Sequence, residues 1–159
     1  MPAEDLAPVV SPGSGLALPA PVRHERPSAP DARPDRPRRL LILDDEEAIL
    51  LPLSEFFRER GYSVVATREP EEAEALLDYD PFDLVLLDLA LTRFGREGLE
   101  VLSAIRSRNP SLPVIVLSGN VSPDIEELAH RLRADAVLMK PQPLEQLAAV
   151  VADLLRGRR

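Results

Sequence analysis

Cysteine and tryptophan are absent from the 159-residue chain, and histidine occurs only as His24 and His130. The lack of cysteine excludes disulfide bonds and thiolate metal sites, and two histidines are too few for a multi-histidine metal centre. No apolar run approaches the ~20 residues that a membrane-spanning helix needs. Acidic Glu4 and Asp5 stand where a secretory signal would carry basic residues, so no such signal is predicted. The net charge of −8 disfavours non-specific binding to DNA or to anionic lipid. We therefore expect a soluble, cytoplasmic protein that binds neither nucleic acid nor membranes.

Proline is concentrated near the start of the chain, where nine of the 17 prolines fall within residues 1–39. This stretch has no apolar periodicity and cannot bury enough surface to offset its ordering entropy. We predict a disordered tail over residues 1–37, one domain over 38–156 and a short basic tail over 157–159. The tail is interpreted as an inert linker, with a docking arm that uses Pro27–Pro37 as the alternative.

Beyond the tail, short apolar runs alternate with amphipathic stretches. The runs predict strands over residues 40–43, 62–67, 83–87, 112–117 and 136–139, and the stretches between and after them predict helices over 49–60, 70–77, 98–108, 122–133 and 144–155. Pro52 is expected to kink or delay the first helix. This alternation predicts an α/β fold with a five-stranded parallel sheet and helices on both faces.

Polar side chains stand at the predicted ends of four of these strands. Asp44 and Asp45 follow the first strand, Asp88 the third, Ser118 the fourth and Lys140 the fifth. Taken singly, each has an ordinary explanation, since acids after strands commonly cap helices. Together they are expected to meet, because ligand sites in parallel sheets lie beyond the carboxyl ends of the strands.

The expected cluster has a coherent chemistry. Neighbouring carboxylates repel one another unless a cation neutralises them, and oxygen ligands suit a hard ion such as Mg²⁺. A carboxylate such as Asp88 beside Mg²⁺ is suited to attack a phosphoryl group. Lys140 would supply positive charge for the phosphoryl oxygens. It is the only lysine beside 18 arginines, which indicates that a guanidinium would not serve there.

Four segments resemble the receiver domain of two-component response regulators. They are residues 40–46 (LLILDDE), 83–88 (DLVLLD), 114–119 (VIVLSG) and 139–141 (MKP). The resemblance covers residues 38–156 and implies a (βα)5 flavodoxin-like receiver fold. Its motifs are specific, because the 30 residues from Asp88 to Ser118 and the 22 from Ser118 to Lys140 match the usual spacing of the family.

The resemblance implies a role for each matching position at the metal. Asp88 matches the phosphoacceptor, which also contacts Mg²⁺. Asp45 matches the direct metal ligand, Asp44 the acid that reaches the metal through water, and Ala90 the residue whose backbone carbonyl is a third ligand. Outside the metal site, Ser118 matches the switch hydroxyl and Lys140 the lysine that contacts phosphate.

Several positions depart from the pattern of the family. Val137 stands where a switch aromatic is usual, so coupling to the output is expected to differ. Thr92 and Arg96 replace a usual proline and glycine, and Gly98 is the matching glycine after a two-residue insertion, which predicts a longer, charged loop over Leu91–Glu97. Arg133 replaces a glycine that usually ends the fourth helix.

Since no further segment follows the fifth helix, the resemblance implies a stand-alone response regulator rather than an enzyme. Its partners would be a histidine kinase or phosphotransfer protein, a downstream protein that binds the face formed by residues 122–133, 136–139 and 144–155, and a second copy in a weak phosphorylation-dependent homodimer. The first alternative is a receiver-like interaction module that is never phosphorylated. The second is a Mg²⁺-dependent phosphatase, which Ala90 opposes because those enzymes place an acid there. His130 is expected at the surface.

Overall fold

The computed structural model describes residues 36–91 and 98–157. Most of the predicted tail, residues 92–97 of the predicted long loop and residues 158–159 lie outside the described residues. Within the described residues the strands are β1 (Arg39–Leu43), β2 (Ser63–Thr67), β3 (Leu84–Asp88), β4 (Val114–Ser118) and β5 (Ala136–Met139). The helices are α1 (Glu47–Glu59), α2 (Pro70–Tyr79), α3 (Gly98–Arg108), α4 (Pro123–Arg131) and α5 (Leu144–Arg156).

The strands form one parallel sheet in the order β2-β1-β3-β4-β5. β3 lies at its centre, with Leu87 opposite Leu43 of β1 and Asp88 opposite Leu117 of β4. The chain order reverses between β1 and β3, and a crevice forms beyond the carboxyl ends of strands at such a switch point. The loops after β1 and β3 therefore border one crevice.

Alternation along the strands divides the core into two clusters, because successive side chains of a strand point to opposite faces. One cluster packs α2, α3 and α4 against the sheet and includes Ala73, Val101, Ile105, Ala129, Leu41, Val85 and Val116. The other packs α1 and α5 and includes Leu53, Phe57, Leu147, Val151, Ile42, Leu86 and Ile115. The predicted sheet with helices on both faces is confirmed.

Helix α1 runs without interruption through Pro52, so the expected delay of the helix is wrong. Its first residue is Glu47, and Pro52 lies within it. Pro52 leaves the carbonyl of Ala48 without its helical donor, but both residues are exposed, so water can satisfy that carbonyl. The opposite face carries the buried Leu53 and Phe57 that fix α1 on the sheet.

Local hydrogen bonds shift some strand boundaries from their predicted positions. Tyr62 does not begin β2, because its N–H bonds to the carbonyl of Phe57 and closes the end of α1. β4 begins at Val114 rather than at 112, since Pro113 has no N–H to donate. β3 begins at Leu84, one residue after Asp83, although the N–H of Asp83 still donates to the carbonyl of Arg39 at 2.8 Å.

An arginine clasp, formed by Arg36, Arg38 and Arg39 around Asp83, lies at the amino-terminal edge of the sheet. Asp83 accepts the backbone N–H of Arg39 at 2.7 Å and an Arg38 guanidinium N–H at 3.2 Å, and Arg36 Nη2 lies 3.5 Å from it. The Arg39 guanidinium also stacks over the ring of Phe82. The first described contacts of the domain are thus made by Arg36, and the predicted boundary at residue 38 stays a prediction.

Arg133 follows α4 with a positive φ of 65°. Its carbonyl oxygen accepts hydrogen bonds from Arg106 of α3, whose guanidinium also pairs with Asp135 at 2.9 Å. Asp135 in turn accepts the N–H of Val114. A network of fixed partners therefore holds this turn, although a left-handed conformation is costly for a residue other than glycine.

Candidate functional site

Lys140 joins two of the predicted acids at the carboxyl edge of the sheet. Its Nζ lies 2.6 Å from Asp44 Oδ2 and 3.2 Å from Asp88 Oδ1. The two carboxylates follow or end the adjacent strands β1 and β3, while Lys140 follows β5. Asp44 and Asp88 are both buried. The fold thus brings residues 44, 88 and 140, far apart in sequence, into direct contact.

The two carboxylate oxygens of Asp88 have different surroundings. Oδ1 accepts the backbone N–H of Ala90 at 3.2 Å and contacts Lys140. Among the described residues, Oδ2 is buried and has no hydrogen-bond partner. Burial raises the pKa of Asp88, and the charge of Asp44 raises it further, against the opposing effect of Lys140. A buried, unpartnered oxygen at a strand end is suited to bind a cation or to attack an electrophile.

The carboxylates of Asp44, Asp45 and Glu46 cluster at the end of β1. One oxygen from each lies within 4.8 Å of the others. Asp44 is already engaged, because Oδ1 accepts the N–H of Glu46 at 2.9 Å and Oδ2 accepts Lys140. Together with the unpartnered oxygen of Asp88, these oxygen donors fit a hard divalent ion such as Mg²⁺. The sequence prediction omitted Glu46, although its place directly after Asp45 was a signal.

Lys140 keeps its positive charge in this setting. Burial lowers its pKa, but the hydrogen bond that Lys140 donates to Asp44 and the charges of Asp44 and Asp88 outweigh that effect and raise the pKa. A protonated lysine between two carboxylates neutralises part of their repulsion. Asp44, Asp88 and Lys140 together still carry a net negative charge, which favours binding of a cation.

Ser118 is buried at the end of β4, where its hydroxyl bonds within the following turn. The hydroxyl donates to the carbonyl oxygen of Asn120 at 3.1 Å and accepts the N–H of the same residue at 3.3 Å. Val137 lies opposite Val116 in the neighbouring strand and packs, half-buried, against the cluster under α4. The predicted switch hydroxyl therefore lies at the edge but is held by its own turn.

Gly98 brings the start of α3 against the backbone at the end of β3. Its N–H donates to the carbonyl of Leu89 at 2.9 Å. A Cβ at this position would lie 2.5 Å from Leu89 Cα and still closer to the carbonyl oxygen of Asp88. No real Cβ approaches backbone so closely, so this position requires glycine. This close approach agrees with the predicted match of Gly98 to the glycine of the family.

Arg68 is a further residue at this edge that the sequence prediction missed. It directly follows β2, and its Nε lies 3.3 Å from the carbonyl oxygen of Asp45. No motif marks it in the sequence, since it is one arginine among 18. The sheet order places it there, because β2 is the neighbour of β1.

In the described ranges, no helix combines the length and the apolar character that crossing a membrane requires. His130 lies exposed on α4, as predicted.

Comparison with known proteins identifies a family for the chain. The model of the response regulator receiver domain matches residues 40–152. Among curated proteins, the alginate biosynthesis transcriptional regulatory protein AlgB of Pseudomonas aeruginosa is 35% identical over 122 residues, which cover 76% of this chain and 26% of AlgB. The transcriptional regulatory protein PdtaR of Mycobacterium tuberculosis is 34% identical over 122 residues, 76% of this chain and 58% of PdtaR. The chain thus spans between about a quarter and three fifths of these relatives.

Solved structures show the same fold. A CheY-like receiver domain protein from Methanospirillum hungatei superposes with a TM-score of 0.72 at 28% identity, over 76% of this chain and 95% of that one. A response regulator from Burkholderia pseudomallei, solved with a phosphorylated aspartic acid, a calcium ion and citrate, gives a TM-score of 0.65 at 25% identity, over 77% of this chain and 75% of that one. With the family match over residues 40–152, these likenesses establish that the chain belongs to the response regulator receiver domain family.

Proposed function

We propose that the chain is a response regulator that accepts a phosphoryl group on Asp88, in the presence of Mg²⁺, from a histidine kinase or a histidine phosphotransfer protein. The observation that carries the proposal is the divided environment of Asp88. Its Oδ1 is held by Ala90 and Lys140, while Oδ2 is buried without a partner in the part of the chain that the structure describes. The relative from Burkholderia pseudomallei, whose structure contains a phosphorylated aspartic acid, supports it by likeness.

In the proposed reaction, an Asp88 carboxylate oxygen attacks the phosphorus of the donor phosphohistidine. A new P–O bond forms as the P–N bond breaks, and the electron pair of that bond leaves with the imidazole. Ala90 and Lys140 orient the carboxylate, and the Lys140 ammonium offsets negative charge on the transferring oxygens.

Asp44, Asp45, Asp88 and the backbone carbonyl of Ala90 would hold Mg²⁺. The ion, when bound, would neutralise the carboxylates and polarise the phosphoryl group. Asp45 is the direct ligand in this proposal, because the Asp44 carboxylate is already bonded to Glu46 and Lys140. Asp44 would then act through water.

We further propose that this regulator acts in the cytoplasm through a domain over 38–156. Its output is protein binding at the face of α4, β5 and α5. Leu128, Met139 and Leu144 are exposed there, which supports a protein partner. AlgB and PdtaR are named as transcriptional regulatory proteins and extend beyond the matched region. A second copy of the chain would be a weak additional partner.

The test is labelling of the full chain with acetyl phosphate and Mg²⁺, followed by intact-mass measurement. We expect one acid-labile phosphoryl group on the wild type and none on Asp88→Asn. Asp83→Asn is the matched control, because it changes an aspartate at the opposite edge of the sheet and should label normally. Absence of label on the wild type, or equal labelling of Asp88→Asn, would refute the acceptor role.

A receiver-like interaction module that is never phosphorylated is the second candidate. Val137 in place of an aromatic and the Ser118 hydroxyl bonded to Asn120 favour it. Adding beryllofluoride with Mg²⁺ distinguishes the two candidate functions. It should change the affinity for the partner only if the state of Asp88 controls partner binding. Sustained release of phosphate from small phosphate esters would instead indicate a phosphatase.

A further inference from the structure

The residues Asp44–Glu47, here called the acid loop, comprise the connection from β1 and the first residue of α1, and they lie between two cations. Lys140 contacts the loop from the side of β5 and belongs to the proposed acceptor site. Arg68 contacts it from the side of β2, and the proposed chemistry leaves this arginine without a role.

Two contacts join Arg68 to different parts of the acid loop. Its Nε donates to the backbone carbonyl oxygen of Asp45 at 3.3 Å, and its Nη1 lies 3.5 Å from Glu47 Oε2. The N–H of Asp44 donates to the carbonyl of Thr67 at 3.2 Å. The end of β2 therefore holds three of the four residues of the loop.

The turn that presents Arg68 is itself fixed. Thr67 is buried, and its hydroxyl oxygen accepts the N–H of Glu69 at 3.2 Å. The same hydroxyl donates to the carboxylate of Glu72 on α2. These bonds limit the freedom of the backbone on both sides of Arg68, so its guanidinium reaches the loop from a rigid base.

We infer that Arg68 is a positioning residue for the cation site, which holds the backbone of Asp45 so that its carboxylate stays in the cluster with Asp44 and Glu46. The inference rests on the proposed function, since it concerns the cation of that same site. Partners that orient a metal ligand commonly change metal affinity about 10-fold to 100-fold when they are removed.

A purely electrostatic role for Arg68 makes the opposite prediction. A positive charge near the site repels a cation, so its removal alone would strengthen binding of Mg²⁺. Arg68→Lys separates the two roles, because it keeps the charge but loses the planar group that reaches two acceptors at once.

The experiment is calorimetric titration of Mg²⁺ into the full chain, with the amide chemical shift of residue 45 as a second readout. We expect Arg68→Lys to bind Mg²⁺ about 10-fold more weakly and to shift the Asp45 amide before metal is added. Arg68→Ala should also bind Mg²⁺ more weakly than wild type. Its loss of affinity should be smaller than the lost contacts alone would cause, because removal of the positive charge favours the cation. Arg58→Lys is the matched control, since the exposed Arg58, in the last turn of α1, donates to the carbonyl of Val64 on β2 at 3.1 Å.

The inference fails if Arg68→Lys binds Mg²⁺ within about twofold of wild type, the range of an inert surface substitution. It also fails if Arg68→Ala binds more tightly, or if Arg58→Lys weakens binding equally, which would indicate a general loss of stability. If the wild type itself binds no Mg²⁺, the cation site of the proposed function fails, and the role of Arg68 fails with it. Labelling the same preparation with acetyl phosphate tests the acceptor role of Asp88 separately. Failure of the cation site and failure of the acceptor role can therefore be distinguished.

Discussion

At the scale of single residues, Asp88 shows how burial and function are linked. The interior that surrounds it disfavours its charged form, and the nearby Asp44 adds to that effect, so the pKa is raised from the ordinary value of 3.8. Lys140 opposes the shift without reversing it. The Asp88 carboxylate is thus a source of instability in the domain without a bound cation, and a cation would relieve it.

Asp88→Asn is expected to stabilise the domain without divalent cations at about pH 7, by roughly 1 kcal/mol, the lower range for a buried unsatisfied group. The raised folded pKa means that wild-type stability falls as the pH rises from 3.8 through that pKa and stays lower above it. The asparagine variant does not titrate there, so the two stabilities should converge as the pH falls below the ordinary carboxyl range. Urea unfolding in EDTA across this range measures the difference, and a gap that is independent of pH would contradict the explanation.

The sequence predicted the main members of the site but not their mutual contacts. Acids and a lysine at strand ends are visible as a pattern, because parallel strands must end at one edge. That Lys140 pairs with Asp44 as well as with Asp88 depends on side-chain geometry that no spacing encodes. Arg68 could not be predicted as a site residue, because it reaches Asp45 only through the pairing of β1 with β2.

At the scale of elements, the junction between β3 and α3 depends on Gly98. The helix begins there, in contact with the backbone of Asp88 and Leu89, so the acceptor strand and the helix cannot move independently at this point.

Gly98→Ala is expected to destabilise the domain by about 1–3 kcal/mol, as overpacking against backbone does. It should also reduce phosphorylation of Asp88, because the backbone that must yield belongs to the acceptor. Gly119→Ala is the matched control, since a Cβ there would meet nothing within 4 Å. Thermal unfolding and acetyl phosphate labelling check both variants, and equal behaviour of the two would refute the steric argument.

Arg133→Gly is expected to stabilise the domain by about 0.5–1 kcal/mol, the cost of the left-handed conformation less the extra entropy of glycine in the unfolded chain. The network at this turn uses the backbone carbonyl of Arg133, which glycine retains. Arg131→Gly, within α4, should destabilise instead. Chemical denaturation measures the stability of both variants. A loss of stability in Arg133→Gly would mean that the Arg133 side chain contributes more stability than its left-handed conformation costs.

The type and order of the elements followed from periodicity, but their boundaries did not. Tyr62 has the composition of a strand residue, yet its N–H completes the end of α1. Proline usually interrupts a helix, yet Pro52 lies on the exposed side of α1, where water replaces the lost hydrogen bond. In both cases a single backbone hydrogen-bonding group decides the outcome, and only the folded chain shows its partner: the Tyr62 N–H meets a carbonyl of α1, and the carbonyl opposite Pro52 meets water.

At the scale of the whole molecule, the two edges of the sheet carry different chemistry. The carboxyl edge has the acid loop and Asp88, with Lys140 and Arg68 as cations in contact. The amino edge has the arginine clasp around Asp83, which ties the entry of the chain to β3. The first described contacts of the domain are therefore made far from the proposed acceptor.

A protein that begins at Arg36 and carries Arg36→Ala and Arg38→Ala is expected to have a free energy of unfolding about 1 kcal/mol lower than the unsubstituted protein that begins at Arg36, because Asp83 loses two partners while staying largely buried. The full chain should match the protein that begins at Arg36, since the tail is expected to add no packing. Urea unfolding of the three proteins measures this, and Asp83→Asn should remove most of the difference between the two shortened forms. A full chain that is clearly more stable would indicate that the tail docks on the domain.

The separation of the two hydrophobic clusters by the sheet has a consequence for how the protein can diverge. Substitutions under α1 and α5 share no side-chain contacts within those clusters with substitutions under α2, α3 and α4. Their effects on stability should add, because distant sites without common partners are independent. One face of the domain can therefore change during evolution to suit a new partner, while the packing under the other face stays the same. The strand ends lie between the two faces, so changes on either face must leave them intact.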